Sequence, residues 1–453
     1  MATDIARPQR PPRSTRRCSR RPFLEKRPRR KRNRLTEKAT NRASRDSAVL
    51  GVGSVVNGLA AYAFVAVGVR SIGAEAFAPV ALLWGFWAFS GAALAFPIQH
   101  WVIRQATIDG DSAGVAAAMP KLVRLALVVA LAQGVLSFAL RGRLFDSSSL
   151  FWPLAVFALA AGTAGVGLVR GLLAGSGRYG AAASVIGGEN IVRVVAAILA
   201  SFLWSTSNGF AVALLLGPLA GVIWRPLFTH TRVAAVRPSI RLVGSSSVGL
   251  LLSQTILHGG PVALALIDAD PVGVTVLFST LALFRAPYLV ALGLTLRSTS
   301  VMTTWVERHD HRKLVRVVAA MAGTAAMTAV VGYVVAALIG PPIVSLVFGP
   351  ETRPSAEIAG LVAAGSTVAL AGLWLIIALI AARREATLVL SWVAGVVTFA
   401  TTLLLPIDPP AMRVALAFLI GQSTAVVGMT AALIWWARRS PAVRPGEPAT
   451  EPQ

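Results

Sequence analysis

Charged side chains inside long apolar segments are the residues of this sequence that could carry chemistry. Glu189 and Arg193 lie four residues apart in one such segment, so they share a face if the segment is helical. Arg285 lies in another, within the stretch Phe-Arg-Ala-Pro-Tyr at 284–288. Charges in hydrocarbon are costly and usually face a cavity or a partner. Because guanidinium groups pair well with phosphate oxygens, Arg193 and Arg285 predict a cavity that binds an anionic substrate.

Each of these charges also has a simpler interpretation. Glu189 and Arg193 could neutralise each other within one helix. Arg285 has no carboxylate in its own segment, and it could pair with a distant acid or with backbone carbonyls. Asn57, a single polar group in the first segment, could bind substrate or could hydrogen-bond to a neighbouring helix.

A histidine inside another apolar segment is the candidate for ion coupling. His258 lies with Gln254 and Pro261, which predicts a broken helix with a titratable or ion-binding group. The alternative is a buried histidine that is hydrogen-bonded within the protein. Glu189 is a second candidate for this role, because it is a carboxylate inside a predicted span.

The sequence has no constellation that is typical of an enzyme. It lacks a Ser/His/Asp cluster and a nucleotide-binding loop, its only cysteine is Cys18, and its five histidines are scattered. No metal site and no cofactor are therefore predicted. Asp268 and Asp270, in a short predicted outer loop, leave one enzymatic alternative, a membrane glycosyltransferase acting on lipid-linked sugars. A solvated turn explains these two residues better, and the protein is predicted not to be an enzyme.

Long apolar segments must position these side chains. The chain has 453 residues, of which 55% are hydrophobic and 14% charged, whereas soluble domains are ~25% charged. A helix needs ~20 apolar residues to cross a bilayer. Twelve continuous apolar segments follow one another between residues 48 and 437. They predict an all-α integral membrane protein with about 12 transmembrane helices and exclude a soluble enzyme with one anchor, a disordered protein and a β-barrel.

The basic residues predict the orientation and the tails. Of the formal net charge of +24, more than half lies in residues 1–47, which hold 17 Lys and Arg against 4 Asp and Glu. This segment is predicted to be a disordered basic tail beside the anionic cytoplasmic leaflet, and binding to nucleic acid is not predicted. Predicted inner loops hold 18 Lys and Arg and outer loops 5, which places both termini in the cytoplasm and the protein in the cytoplasmic membrane.

A basic loop divides the predicted spans into two sets of six. The predicted order is an N-terminal lobe at 48–228, a cytoplasmic linker at 229–241, a C-terminal lobe at 242–437 and a cytoplasmic tail at 438–453. The pattern Val-Gly-Ser-x-x-x-Gly-Leu occurs at Val52 and again at Val243, in the first span of each lobe. Such an offset is typical of a parallel internal repeat.

The chain resembles the MOP flippase superfamily, in particular its polysaccharide-export branch, which includes the O-antigen flippases. Residues 70–77 resemble the family's arginine-x-leucine-glycine turn after the first span. Residues 170–193 are similar to its connection between the fourth and fifth spans, and 284–287 resemble its eighth-span arginine-x-proline. The layout of six plus six spans also matches.

This resemblance implies a fold and a function. The fold is a MATE-like V of two six-helix lobes around a cavity that opens alternately to each side. The implied substrate is a polyprenyl-pyrophosphate-linked saccharide, moved across the cytoplasmic membrane for cell-surface polysaccharide biosynthesis. Membrane lipids and a polysaccharide polymerase or glycosyltransferase are the expected partners. We expect Arg193, Arg285, Glu189 and Asn57 to bind substrate and His258 or Glu189 to couple ions.

A second branch of the same superfamily offers an alternative function. The MATE antiporters exchange organic cations for ions, and that chemistry needs an accessible carboxylate inside the membrane. Glu189 is the only candidate in a predicted span, and it has Arg193 four residues away. The sequence therefore favours the anionic substrate over the cationic one.

Overall fold

The structure is a computed structural model that describes residues 29–108, 112–222, 245–267, 270–288, 291, 302 and 311–439. The chain divides into a short N-terminal unit, Met1–Arg45, and a compact body, Asp46–Gln453. Every regular element in the described ranges is a helix, and these ranges contain no β-strand. The predicted all-α class is confirmed to this extent.

The N-terminal half of the body is formed by helices that pack around α5. They are α1 (Arg29–Ser90), a π-helical turn (Gly91–Ala95), α2 (Phe96–Ile108), α3 (Ser112–Ala139), α4 (Arg141–Phe145), α5 (Phe151–Gly175), α6 (Tyr179–Leu203) and α7 (Ser207–Val222). Helix α5 contacts α2, α3, α6 and α7, and more than half of its most apolar stretch is buried.

The C-terminal half packs around a different central helix. Its elements are α8 (Ser245–His258), α9 (Gly260–Leu266), α10 (Pro271–Phe284), α11 (His311–Phe348), a 3₁₀ turn (Pro350–Thr352), α12 (Ala356–Ala381), α13 (Glu385–Thr402) and α14 (Pro410–Arg439). Helix α12 contacts α10, α11 and α14 and is 78% buried over its most apolar stretch. Its alternation of alanine and glycine with leucine and isoleucine allows this close packing.

The length and composition of the helices are those of membrane spans. Eight helices in the described residues can cross a bilayer, and nine if the bent pair α8 and α9 is one span. Helices α7 and α10 are apolar but shorter in the described range. Each of the twelve predicted segments overlaps one of these helices. The protein is thus a multi-pass membrane protein, and the count of twelve spans stays a prediction.

Large apolar side chains cover the outside of the body. They are exposed along α3, α6 and α11, where Leu338 and Leu346 are each 74% exposed. Contiguous apolar surface of this extent indicates contact with lipid. The fully buried positions include Phe64, Phe77 and Phe210, whose rings belong to a core shared by both halves.

Two backbone breaks divide continuous helical stretches. Gly73 has φ +81° and ψ 165°, a conformation that L-residues rarely adopt, and it interrupts α1 where the sequence predicts a turn between the first two spans. A bend of 63° separates α8 from α9 at Gly259. This confirms the broken helix that Pro261 and His258 predicted in that segment.

Part of the predicted tail is helical in the structure. The sequence predicts disorder for residues 1–47, but α1 begins at Arg29, so residues 29–47 are helical instead. Pro28 is the last proline before this stretch, and the Arg, Lys, Glu, Ala and Leu residues that follow it favour a helix. Residues 1–28, the predicted linker 229–241 and residues 440–453 lie outside the described part of the chain.

The packing of α5 depends on one glycine. A Cβ atom at Gly167 would lie 2.4 Å from Ala95 Cα and 2.5 Å from the Ala95 carbonyl oxygen, which belong to the π-helical turn. Neither backbone atom can move without displacing its helix. The π turn and α5 therefore touch backbone to backbone, as small residues allow in membrane helices.

We expect Gly167→Ala to destabilise the protein by about 1–3 kcal/mol, because it overpacks this contact. The measurement is the thermal midpoint of the detergent-solubilised protein. Gly323→Ala is the matched control, since a Cβ at Gly323 meets no atom within 4 Å. Equal midpoints for the two variants would contradict the close approach.

Candidate functional site

The buried charges of the N-terminal half form one network around Glu189. Glu189 Oε1 accepts a hydrogen bond from Arg193 Nη2 at 2.5 Å, and Oε2 accepts one from Arg170 Nη2 at 2.6 Å. Glu189 is 2% exposed and Arg193 is fully buried, whereas Arg170 is 20% exposed. One carboxylate is thus shared by two guanidinium groups, and the three side chains carry a net charge of +1.

Every donor-bearing nitrogen of Arg193 has a partner inside the protein. Its Nη1 donates to Asn190 Oδ1 at 2.9 Å and its Nε to the Leu214 carbonyl at 3.2 Å. The guanidinium also lies over the Trp87 ring, 4.2 Å from the centroid. Gly217 provides the space, because a Cβ there would lie 2.2 Å from Arg193 Nε. Helices α1, α6 and α7 therefore enclose this arginine completely.

Asn57 joins the same network from α1. Asn190 Nδ2 donates a short hydrogen bond to Asn57 Oδ1, while Asn190 Oδ1 accepts from Arg193. The structure thus brings together three of the four residues that the sequence predicts to bind substrate. Glu189 bonds directly to Arg193, and Asn57 is linked to Arg193 through Asn190. Of the three predicted residues, Asn57 is the one whose side chain is partly exposed.

The fourth residue, Arg285, lies in a separate cluster in the C-terminal half. It ends α10 and is 7% exposed. Its Nη1 lies 3.4 Å from His258 Nδ1. Its Nε and Nη2 atoms are buried, and neither has a hydrogen-bond partner within the described residues. This contrasts with Arg193, whose three nitrogens each donate one hydrogen bond within the protein.

Other helices supply the surroundings of Arg285. His258 is the last residue of α8, directly before the bend, so the break in the helix brings its ring to the guanidinium. The Phe418 ring of α14 lies 5.4 Å from Arg285 Cζ. Tyr62 of α1 donates to the carbonyl of Ala282 in α10 at 2.6 Å.

The geometry defines the hydrogen-bonding state of His258. Arginine is only a donor, so His258 Nδ1 must be the acceptor in their contact. The ring of a neutral histidine then carries its proton on Nε2. The predicted pairing of Arg285 with a distant acid does not occur among the described residues, and a neutral imidazole takes that place.

The structure groups the predicted site residues differently from the single cavity that the sequence predicts. Asn57, Glu189 and Arg193 form one cluster and His258 and Arg285 another. Arg193 has no exposed surface in this structure, so its role in substrate binding stays a prediction, as do the roles of the other four.

Sequence reasoning misses several of the partners. The sequence includes Arg170 as the first residue of the family-like stretch 170–193 and among the basic residues of the predicted inner loops, but not as a partner of Glu189, and it does not single out Trp87, Tyr62 or Phe418. These residues come from other helices, and no spacing in the sequence signals their contacts. Tyr288, which accepts from Gln254 Nε2 at 3.3 Å, stands in the sequence only as part of the 284–288 motif.

The acidic residues of the enzymatic alternative are not assembled into a site. Asp270 caps α10, and its side chain accepts a hydrogen bond from the Gly273 backbone at 3.3 Å. Asp268 lies outside the described residues. Within the part of the chain that the structure describes, no group of three or more His, Cys, Asp or Glu side chains is arranged to hold a metal ion.

Hydrogen bonds join the two halves near Gly73, the break in α1 that lies on the predicted outer side of the membrane. Arg70 donates through Nε to the Val347 carbonyl at 3.2 Å and through Nη2 to the Leu346 carbonyl. Glu351 Oε2 accepts from the Ala74 backbone at 2.8 Å, and Thr275 Oγ1 donates to the Ala74 carbonyl at 2.6 Å. We call Arg70, Ala74, Thr275 and Glu351 the outer latch.

This arrangement of helices has known structural neighbours. The inward-facing conformation of a multidrug resistance MATE family transporter of the MOP superfamily matches with a TM-score of 0.61 and 16% identity, over 88% of this chain and 96% of that one. A MOP superfamily transporter from Pyrococcus furiosus matches with a TM-score of 0.58 and 15% identity, over 87% and 94%. The chain therefore has the fold of MATE and MOP superfamily transporters.

Sequence comparison finds relatives without a described activity. The uncharacterized protein Rv3630 of Mycobacterium tuberculosis is 28% identical over 399 residues, which cover 81% of this chain and 87% of that protein. No family model matches the chain.

We expect Glu189→Gln to destabilise the protein by about 3–5 kcal/mol, because it leaves two guanidinium groups near an uncharged amide in a buried site. Thermal unfolding in detergent measures the loss. Asp408→Asn is the control, since Asp408 is 87% exposed and pairs with Arg413 at 3.6 Å. Its effect is expected to stay below about 1 kcal/mol. Similar losses for both variants would show that the Glu189 network does not stabilise the fold.

Proposed function

We propose that the protein is a membrane transporter that moves a polyprenyl-pyrophosphate-linked saccharide across the cytoplasmic membrane. The observation that carries this proposal is the buried guanidinium of Arg285, whose Nε and Nη2 have no partner among the described residues. A buried charge without a partner is costly, and an anionic ligand would offset that cost. The lipid-linked saccharide has such a group in its pyrophosphate.

The identity of the open donors supports a phosphate ligand. The N–H groups of Nε and Nη2 lie on the same edge of an arginine side chain and form a fork that binds two oxygens at once. In Arg285 the two nitrogens of this edge are buried and have no partner among the described residues, while Nη1 contacts His258, so binding requires a conformation in which the edge is exposed. Pyrophosphate offers paired oxygens at the matching spacing.

The contacts of Glu189 support an anionic substrate rather than an organic cation. A MATE-like antiporter needs an accessible carboxylate, but Glu189 is 2% exposed and bound to Arg170 and Arg193. The Pyrococcus furiosus transporter is described as having a binding pocket of reverse polarity, which suggests a different function for that protein. A cationic site in this chain would be another case in which one fold carries pockets of different charge.

The residues around Arg285 suggest how an ion could couple to transport. His258 is the proposed coupling residue, because its ring contacts the guanidinium that would hold the substrate. Glu189 is less suited to this role, since both of its oxygens are held by arginines. A polysaccharide polymerase or a glycosyltransferase as partner remains an expectation from the resemblance.

Alternating access requires the outer latch to open. In this structure its hydrogen bonds join the halves at the predicted outer end, where a substrate would leave. Side-chain to backbone bonds of this kind contribute about 1 kcal/mol when neutral and about 1.5–3 kcal/mol when one group is charged, as at Arg70 and Glu351, so they can break in a transport cycle. We therefore propose that the structure is closed on its outer side.

The proposed function is tested by identifying the lipid that stays bound to the protein during extraction. We expect native mass spectrometry of gently extracted protein to show a bound polyprenyl-pyrophosphate lipid. Arg285→Ala should weaken its retention about 10- to 100-fold, because one bidentate charged contact is lost. Arg285→Lys should restore it only in part, since lysine lacks the fork. Arg413→Ala is the control, because the side-chain contacts of Arg413 among the described residues are with Asp408 and with carbonyls near its own helix.

Two results would overturn the proposal. Equal retention of the lipid by wild type and Arg285→Ala would remove Arg285 from the site. Absence of the lipid together with stabilisation by organic cations, lost in Glu189→Gln at a temperature where that variant is folded, would support the antiporter instead.

The outer latch gives a separate prediction about accessibility. In a Cys18→Ser background, a cysteine at Val274 is expected to react slowly with a membrane-impermeant maleimide, because Val274 is 2% exposed. Arg70→Ala combined with Glu351→Gln should raise this rate severalfold by opening the outer side. Ser148→Cys, in an exposed loop, should react at an unchanged rate. An unchanged rate at Val274 would contradict the role of the latch.

A further inference from the structure

A second cationic site lies at the other end of the C-terminal half, away from the latch. A cleft of about 420 Å³ opens between the end of α12, the start of α13 and the end of α14. The positive-inside count predicts that this end faces the cytoplasm. The cleft is lined by Leu379, Arg384, Thr387, Ala431, Ala432, Trp435 and Trp436.

Two arginine–tryptophan contacts frame this cleft. Arg439 Cζ lies 4.1 Å from the centroid of the Trp435 ring, and Arg384 Cζ lies 6.0 Å from that of Trp436. Trp435 is 53% exposed, although it is large and apolar. Tryptophan in such a position is typical of the interface between hydrocarbon and headgroups.

The charge around the cleft is strongly positive. Arg383, Arg384, Arg438 and Arg439 are all exposed there, and Glu385 is the one acid among the described residues of these two segments, 383–385 and 438–439. Helix α13 also begins at this point, so its first backbone N–H groups add positive potential. The walls of the cleft are mostly apolar, which an inorganic anion alone would not need.

We propose that this cleft binds an anionic phospholipid of the cytoplasmic leaflet. Arg384 and Arg439 hold the headgroup phosphate, and one acyl chain lies against Leu379, Ala431 and Ala432. Basic pockets between membrane helices on the cytoplasmic side bind anionic headgroups by the same combination of charge and apolar surface. The bound lipid ties together the ends of three helices. This site does not depend on the proposed transport function.

The test compares two lipids on the full-length protein in detergent. Native mass spectrometry measures the binding of phosphatidylglycerol and of phosphatidylcholine, which have similar acyl chains and differ in net charge. An arginine near the surface strengthens binding to an anionic lipid about fivefold, so two arginines predict a preference for phosphatidylglycerol of about tenfold or more. The double variant Arg384→Gln/Arg439→Gln should reduce this preference to about twofold.

A matched control separates this site from a general effect of arginines. Arg141 lies 4.3 Å from the Phe138 ring centroid at the predicted outer end, so Arg141→Gln removes a similar arginine–aromatic pair. We expect it to leave the preference unchanged. Thermal midpoints confirm that all variants are folded, and phosphatidylglycerol should raise the midpoint of wild type more than that of the double variant.

Three outcomes would overturn the proposal. The first is an equal affinity of wild type for the two lipids. The second is a preference that survives in the double variant or that is lost equally in Arg141→Gln. The third is complete displacement of phosphatidylglycerol by millimolar inorganic phosphate, which would show a site for the free anion and no lipid site.

Discussion

The burial of guanidinium groups inside an apolar helical body is the constraint on which the structure depends. An unpaired charge in such surroundings is costly, so each buried arginine requires a dedicated set of partners. Among the described residues each nitrogen of Arg193 has a partner, whereas Arg170 Nε and Arg285 Nε and Nη2 are buried without one. Arg193 has Glu189, Asn190, the Leu214 carbonyl and the Trp87 ring, whereas Arg285 has one hydrogen-bond contact, with a neutral histidine, among the described residues.

The helices around these arginines show features that serve this burial. Gly217 leaves room for the Arg193 side chain, and the bend after His258 turns its ring towards Arg285. Small residues elsewhere, such as Gly167, bring helices into backbone contact. The halves meet through a shared apolar core as well as through the hydrogen bonds of the outer latch, so motion between the halves has to separate both.

Arg193 and Arg285 differ in how many of their nitrogens have hydrogen-bond partners, and the proposed function depends on this difference. Under the proposed function the unpaired donors of Arg285 meet the ligand, whereas the role of Arg193 is structural. A fold shared with other transporters does not by itself select a substrate, so the proposal depends on the positive charge at Arg285. The lipid cleft at the ends of α12–α14 would apply the same chemistry at the membrane surface.

The sequence by itself determined the membrane class, the helical segments and the charged residues Glu189, Arg193 and Arg285 inside them, and it offered the break near His258 as one of two interpretations. These depend on local composition and on spacing within one helix, which the chain displays directly. The sequence also predicted the contact between Glu189 and Arg193, since a separation of four residues places both side chains on one face of a helix. Only the tertiary structure decided that Arg170 also binds Glu189 and that Arg193 is fully buried. It also decided that Nε and Nη2 of Arg285 have no hydrogen-bond partner among the described residues. Those outcomes depend on side chains from different helices, and contacts between helices leave no periodic signal in the sequence.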